Sequence, residues 1–405
     1  MTPEIKHRIE QIRHGNVPDG YKKTKADILP ADWDVYMLGD CLSRVERPVE
    51  VKPNELYTQI GIRSHGKGLF YKEPVTGAAL GNKAVFWIEP DCFIVNIVFA
   101  WEQAIGKTTQ SEVGMIGSHR FPMYRPVNDR VDIDYLISYF LTKRGTDILE
   151  AASPGGAGRN KTLGQDRFLK SKIILPPIEE QRKIATILTT QDKVIELKEK
   201  RLAEKQWQKK YLMHRFFVDA NGKKIRLGQI ANVIMGQSPS STSYNEQMEG
   251  MPLIQGNGDI EGRNTHPRMY TTQPTKICKK GDILISVRAP VGSVSRSSMN
   301  ACIGRGMCAV DAGIYQNYVY QYLIYFEDKW GKVSQGSTFE SISGDEIRKL
   351  KTLIPDNMQH IEKILSTADR EIDLLRQDIE QEKQKKKALM QLLLTGIVRT
   401  KGDEQ

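Results

Sequence analysis

Residues 184–197 read IATILTTQDKVIEL and residues 361–374 read IEKILSTADREIDL; seven of the fourteen aligned positions are identical. The register holds downstream, where KKYLM (209–213) faces KKALM (386–390), and upstream, where LPP (175–177) faces LIP (353–355). Near the front of each copy, LGDCLSRV (38–45) resembles LGQIANVI (227–234). The chain is therefore a tandem duplication: a body, a proline-marked junction and a long charged segment, twice over.

Each charged segment carries a coiled-coil seam. In the second copy, Ile361, Leu365, Ala368, Ile372, Leu375, Ile379, Glu382, Lys386, Leu389 and Leu393 follow an unbroken four-three spacing. In the first copy the same spacing runs through Ile184, Leu188, Gln191, Ile195, Lys198, Leu202, Lys205, Lys209, Leu212 and Phe216. That is an a/d heptad pattern, apolar at the ends and more polar within. Each copy predicts a helix of about 40 residues, roughly 60 Å long at ~1.5 Å per residue. Pro177 and Pro355 stand where such helices begin, because proline fits a first turn and not an interior. Two unrelated amphipathic helices, each packed on its own domain, would be the alternative. The matched register favours an antiparallel pair about a pseudo-two-fold axis.

The bodies between these segments, 31–176 and 219–354, do not align beyond their edges. Strand-like runs such as AVFWI (84–88), FIVNIVFAW (93–101) and GDILISV (281–287) alternate with Gly, Pro and Ser turns, and helices are predicted at 132–144 and 315–327. The expectation is α/β: two bodies of ordinary domain size separated by two long helices that pair as an antiparallel coiled coil. The helices span 177–218 and 355–400. Residues 1–30, with the stripe Ile5, Ile9 and Ile12, form a helical segment expected to dock on that scaffold.

Composition limits the function. The 405 residues hold 59 Lys and Arg against 49 Asp and Glu, a formal charge of +10. An excess of that sign suits a phosphate-rich partner, although a basic surface can also be inert. Cys41, Cys92, Cys278, Cys302 and Cys308 form no C-x-x-C pair, which argues against a zinc site or disulfide framework and for buried thiols in a reducing compartment. MTPEIKHRIEQIRHG has no apolar core of a signal peptide, and CFIVNIVFAW (92–101) is too short to cross a bilayer. A cytoplasmic location is expected.

Both bodies carry cationic and amide side chains on Gly-rich stretches. These are GIRSHGKG (61–68), AIGKTTQ (104–110), GSHRFPMYR (117–125) and GGAGRNK (155–161) in the first. In the second they are GQSPSSTSY (236–244), IQGNGDIEGR (254–263), VRAPVGSVSR (287–296), CIGRG (302–306) and QGSTFES (335–341). Such residues contact phosphates and read base edges; singly, each stretch is also an ordinary solvated turn. The DNA-contacting candidates are Arg63, His65, Lys67, Lys107, His119 and Arg120 in the first body. In the second they are Gln237, Ser240, Gln255, Asn257, Arg288, Arg296, Arg305, Ser337 and Thr338.

Catalytic signatures fail on inspection. The GKT at 106–108 has Trp101 where a Walker A loop needs glycine. GGAG (155–158) has Lys161 where a dinucleotide fingerprint has its third glycine. LPPI (175–178) faintly resembles the Asn/Asp-Pro-Pro-aromatic signature of amino-methyltransferases, but Leu175 and Ile178 replace its polar and aromatic members. No H-E-x-x-H or paired Cys/His spacing is present, so no catalytic residue and no metal ligand is assigned.

The repeat architecture, with LPPIEEQRKIATIL, KGDILISVRAPVGSV, CIGRGMCAV and GYKKTKADILPADW, resembles the specificity subunits of type I restriction-modification enzymes over essentially the whole chain. The junction LIPDNMQHIEKIL departs from the usual Leu-Pro-Pro and Glu-Gln pattern. The resemblance implies a non-catalytic subunit whose two bodies are target-recognition domains, each reading one half of a split, asymmetric site in double-stranded DNA. It implies half-sites about 10 bp apart centre to centre. Two methyltransferase subunits, using S-adenosylmethionine to modify adenine, and ATP/Mg-driven restriction subunits are the implied partners, and this chain itself binds no cofactor. The rival readings are a self-contained DNA methyltransferase and a coiled-coil assembly scaffold that ignores DNA.

Overall fold

The structure is a computed structural model and describes residues 2–24, 27–81, 83–155, 161–330 and 341–400. The chain divides into two compact units, Met1–Leu197 with Ile379–Gln405, and Lys198–Asp378. The division falls inside both long helices, so each unit holds one body and part of each helix.

The long helices run Ile178–His214 and Met358–Leu393. The first begins directly after Pro177 and gives way at its end to a wider π-type turn, Arg215–Asp219. The second begins three residues past Pro355. In the first unit, the Gln191 amide donates to Glu382 Oε2 at 2.7 Å, and Lys386 pairs with Asp192 at 2.5 Å. In the second, Lys198 pairs with Asp378, Lys205 with Glu371 and Lys209 with Asp369 at 2.8, 2.7 and 2.5 Å. In the second unit, partner numbers fall on one helix as they rise on the other, and in the first Leu188 shares a core with Leu393 while Gln191 meets Glu382, so the helices run antiparallel. Ile184, Leu188, Ile195, Ile361, Leu365, Ile372 and Ile379 are buried. Leu202, Leu212, Leu375 and Leu389 are half-buried. The polar seam positions are satisfied across the pair, an arrangement that fixes register more than it adds stability.

In the first unit, a four-stranded antiparallel sheet orders Ile105–Lys107, Phe93–Val95, Met123–Pro126 and Leu42–Val45. Phe93 is buried in it and packs within 5.6–6.5 Å, centroid to centroid, of Tyr124, Phe140 and Phe168. The latter two lie on helices Ile133–Phe140 and Gln165–Leu169. The same core takes Ile184 and Leu188 from the first long helix and Leu393 from the second. The sequence pattern predicts a strand over 93–101, but only Phe93–Val95 is one. Asn96 turns the chain, its side-chain oxygen accepting the Val98 amide at 3.1 Å, and a 3-10 turn, Ala100–Glu102, follows.

The start of the chain lies against its end in this unit. Arg8, on helix Pro3–Arg13, donates to the Ile397 carbonyl and the Tyr21 hydroxyl to that of Gly396, both at 2.6 Å. Arg399 reaches both oxygens of buried Glu180 at 2.8 and 2.7 Å and Asp32 at 2.8 Å, while Trp33 Nε1 donates to Glu180 at 3.1 Å. Burial opposes the Arg399 charge, yet the two carboxylates raise its pKa above the usual arginine value.

In the second unit, a six-stranded sheet orders Asn232–Met235, Met307–Asp311, Ile283–Ser286, Val294–Arg296, Asn264–Thr265 and Ile260–Glu261. A five-stranded sheet orders Tyr244–Asn245, Met269–Thr271, Met251–Ile254, Ala301–Ile303 and Ile277–Cys278. Helix Gln316–Phe326 packs Tyr318, Tyr322 and Leu323 against Met213, Phe217, Ile361 and Leu365 of the long-helix segments.

Both bodies are framed alike. Strand Asp34–Met37 pairs antiparallel with Lys172–Leu175, and Lys223–Arg226 pairs with Lys351–Ile354. A 3-10 turn follows the first strand of each pair, at Leu38–Asp40 and Leu227–Gln229. Its leading amide is held by the far end of the body: Leu38 N by the Ser171 carbonyl, Leu227 N by that of Leu350. The repeated LGDCLSRV and LGQIANVI motifs are thus one structural device used twice.

Candidate nucleic-acid interface

In the second unit, three loops meet at one end of the sheets. Gln237 N donates to the Ile303 carbonyl, Gly304 N to that of Ile254, and Val287 N to that of Gly306, at 2.8–2.9 Å. Arg305 N donates to Ser238 Oγ at 3.1 Å. A Cβ on Gly306 would stand 2.3 Å from the Gln255 carbonyl oxygen, so only glycine lets these backbones approach. Gln237, Gln255, Asn257, Arg288 and Arg305 gather there, and all but half-buried Asn257 are exposed. Ser240 continues the first of these loops and turns its hydroxyl onto Thr242 Oγ1 at 2.8 Å.

Arg296 lies elsewhere. Strand Ile283–Ser286 pairs with Met307 through Ser286, at the loop end, and with Arg296 through Ile283, at the opposite end. There the Arg296 guanidinium sits 4.4 Å from the centre of the Tyr320 ring and donates to Asn317 at 3.1 Å. Ser337 and Thr338 lie outside the described residues.

In the first unit, the turn at 96–104 is the meeting point. Hairpin strands Ile60–Ile62 and Leu69–Tyr71 carry Arg63, His65 and Lys67 around their tip, and His65 N donates to the Glu102 carbonyl at 2.8 Å. Ile97 N donates to the Arg120 carbonyl, which brings exposed Arg120 and His119 to the same turn. Arg63 folds back on its own hairpin, donating to the Leu69 carbonyl at 2.5 Å with its guanidinium 5.0 Å from the Phe70 ring centre.

Lys107 departs from its expected loop. Residues Ile105–Lys107 form a strand, and Lys107 pairs with Asp134 at 2.7 Å beside the Phe93 end of that sheet. Burial lowers the Lys107 pKa less than the Asp134 hydrogen bond and charge raise it, so the ammonium is fixed in place. Composition suggested a loop because glycine and threonine flank the lysine; the two buried residues before it, which fill a sheet position, decide otherwise.

Two features at these ends went unselected in the sequence. Lys161 stands 5.3 Å over the Trp101 ring, on the 96–104 turn. Arg268 lies on the loop end of the second unit, where its Nε donates to Asp259 at 3.0 Å. Lys161 was legible as part of GGAGRNK; Arg268, in HPRMY, has no Gly-rich context to mark it.

Among the described residues no group of three His, Cys, Asp or Glu side chains is placed to hold a metal ion, and no helix is long and apolar enough to cross a membrane.

The chain thus holds two framed bodies, paired long helices, and cations and amides at the loop ends of each body. The type I restriction modification DNA specificity domain matches residues 82–204 and 221–384, and the chain belongs to that family. Two relatives from Methanocaldococcus jannaschii are named as type I restriction enzyme specificity subunits, MjaX and MjaVIII. They are 29% and 24% identical to this chain, each over 95% of it and 97% of the relative. Among solved structures, the S subunit of a type I restriction-modification system from M. genitalium aligns with a TM-score of 0.59 at 15% identity, covering 89% of this chain and 96% of its own. A chain described under "complex assembly and conformational transition of the type I R-M system" aligns at 0.62 and 24% identity, covering 91% and 99%. These last two similarities concern the fold.

Proposed function

We propose that this DNA specificity subunit reads a bipartite, asymmetric site, one half through the 96–104 end of the first unit and the other through the 237–305 loop end of the second. Methyltransferase subunits that supply S-adenosylmethionine chemistry, and ATP-driven restriction subunits, complete the complex, while this chain contributes recognition without catalysis. The observation that carries the reading is the convergence of Gln237, Gln255, Asn257, Arg288 and Arg305 on one sheet end of a chain with net charge +10. Amides and guanidinium groups are the side chains that pair with adenine and guanine edges. The two bodies differ in sequence and topology, so the half-sites differ.

Mapping methylated adenines in a host genome with and without this gene tests the reading. The expected result is a new split motif that depends on the gene. Replacing Gln237, Gln255 and Arg305 together by Ala should alter bases in one half of that motif only. Methyl transfer by the purified chain alone would favour a self-contained methyltransferase; binding that ignores DNA sequence and salt would favour a bare scaffold.

A further inference from the structure

We infer that Arg268 reads a guanine in the half-site of the second unit and that Asp259 and Gly258 hold it in the reading orientation. This rests on the assignment of the 237–305 loop end to DNA. Asp259 is buried at 4% exposure, inside the loop that carries Gln255 and Asn257. One of its carboxylate oxygens accepts the Gln255 amide at 2.8 Å; the other accepts Arg268 Nε at 3.0 Å. Its carbonyl accepts the His266 amide at 2.7 Å, which ties the loop to the segment leading into Arg268.

The carboxylate is shielded, but the guanidinium is not. The Arg268 side chain is 68% exposed while that of Asp259 is 6% exposed. With Nε engaged, Nη1 and Nη2 have no acceptor among the described residues. Those two nitrogens form the edge that matches guanine O6 and N7. A free arginine must lose side-chain entropy to adopt that edge, whereas one fixed through Nε has already lost most of it. The plane is set by contact as well as by charge. A Cβ on Gly258 would lie 2.7 Å from Arg268 Nη2 and meets no other residue so closely, so the guanidinium lies against bare backbone. A plain structural ion pair would not need this open outer edge, set by the same carboxylate that holds the Gln255 amide.

Three variants of the full chain separate recognition from stability: Arg268→Lys, Arg268→Ala and Gly258→Ala. Each selects bound duplexes from a randomised DNA library, with thermal unfolding measured in parallel. Arg268→Lys keeps a cation beside Asp259, and Gly258→Ala displaces only the far end of a flexible side chain, so both should melt like the wild type. The expected result is that all three lose preference for guanine at the same single position, by about 5- to 140-fold, with other positions kept. Equal weakening across all sequences would make Arg268 a phosphate contact and overturn the inference. So would an unchanged consensus in the Arg268 variants while Arg305→Ala alters it, and that outcome would leave the loop-end reading standing. A wild type that selects no consensus overturns both.

Discussion

Lys209 on the first long helix reaches Asp369 on the second at 2.5 Å, and the other oxygen of Asp369 accepts the Gln321 amide at 2.5 Å. Asp369 thereby joins three elements of the second unit, the two long helices and helix Gln316–Phe326. Lys209 is only 8% exposed, so little water is at hand to replace that partner. Asp369→Ala should cost about 2–3 kcal/mol, less than a fully buried pair because a third of the aspartate side chain meets water. Lys209→Met combined with Asp369→Leu should recover most of the loss. Urea unfolding of the two single variants and the double variant checks this, and additive losses would show the pair to be uncoupled.

The positions of the cations divide them into two groups. Arg120→Ala and Arg305→Ala, at the loop ends, should each weaken DNA binding and lower the slope of log affinity against log salt by about 1. Lys107→Ala and Arg296→Ala, held by Asp134 and Tyr320 away from those ends, should leave the slope unchanged and lower the melting temperature instead. Anisotropy titrations at about 50–200 mM salt distinguish the groups. Equal slopes for all four variants would mean that the loop ends are not the binding surface.

Arg399 neutralises a glutamate that is 4% exposed. Arg399→Ala should therefore destabilise the first unit by about 3–5 kcal/mol, since Glu180 would be left buried beside Trp33 without its main partner. Glu180→Gln placed on that background should relieve most of the penalty. A thermal scan in which Arg399→Ala melts like the wild type would show that water replaces the arginine freely.

All five cysteines are buried. Burial pushes the Cys41 thiol to about 11 and the Cys308 thiol to about 12. At pH 8 almost no thiolate forms at either, and a disulfide reagent should label the native chain at least ~100-fold more slowly than the chain in denaturant. Rapid native labelling of even one equivalent would contradict this packing.

The long helices were legible because four-three spacing survives polar substitutions. Gln191, Lys198, Lys205 and Lys209 interrupt the apolar seam in the sequence, and in the structure each meets a partner on the facing helix. Those partners include Asp369, Glu371 and Asp378, which lie off the seam positions, so spacing alone could not pair them. The framing motifs were legible as repeats but not as strand-and-turn devices, because their hydrogen-bond partners, Ser171 and Leu350, are over a hundred residues away. Strand content in the bodies was the least legible. Ile105–Lys107 and Val294–Arg296 are three residues long and flanked by turn formers, so composition placed Lys107 and Arg296 on loops. Arg268 was missed for a related reason: Asp259 comes within its reach only after the intervening chain folds back on itself.

Each body starts and finishes on two hydrogen-bonded neighbours, Asp34–Met37 beside Lys172–Leu175 and Lys223–Arg226 beside Lys351–Ile354. The chain thus departs and returns within about 5 Å, one inter-strand spacing. Another body with equally close ends, and an apolar face to cover Ile184, Leu188 and Leu393 or Ile361 and Leu365, would satisfy the same two strands. A pair of genetic crossovers at those borders would then transplant a whole recognition cassette in one event while the long helices stay as they were.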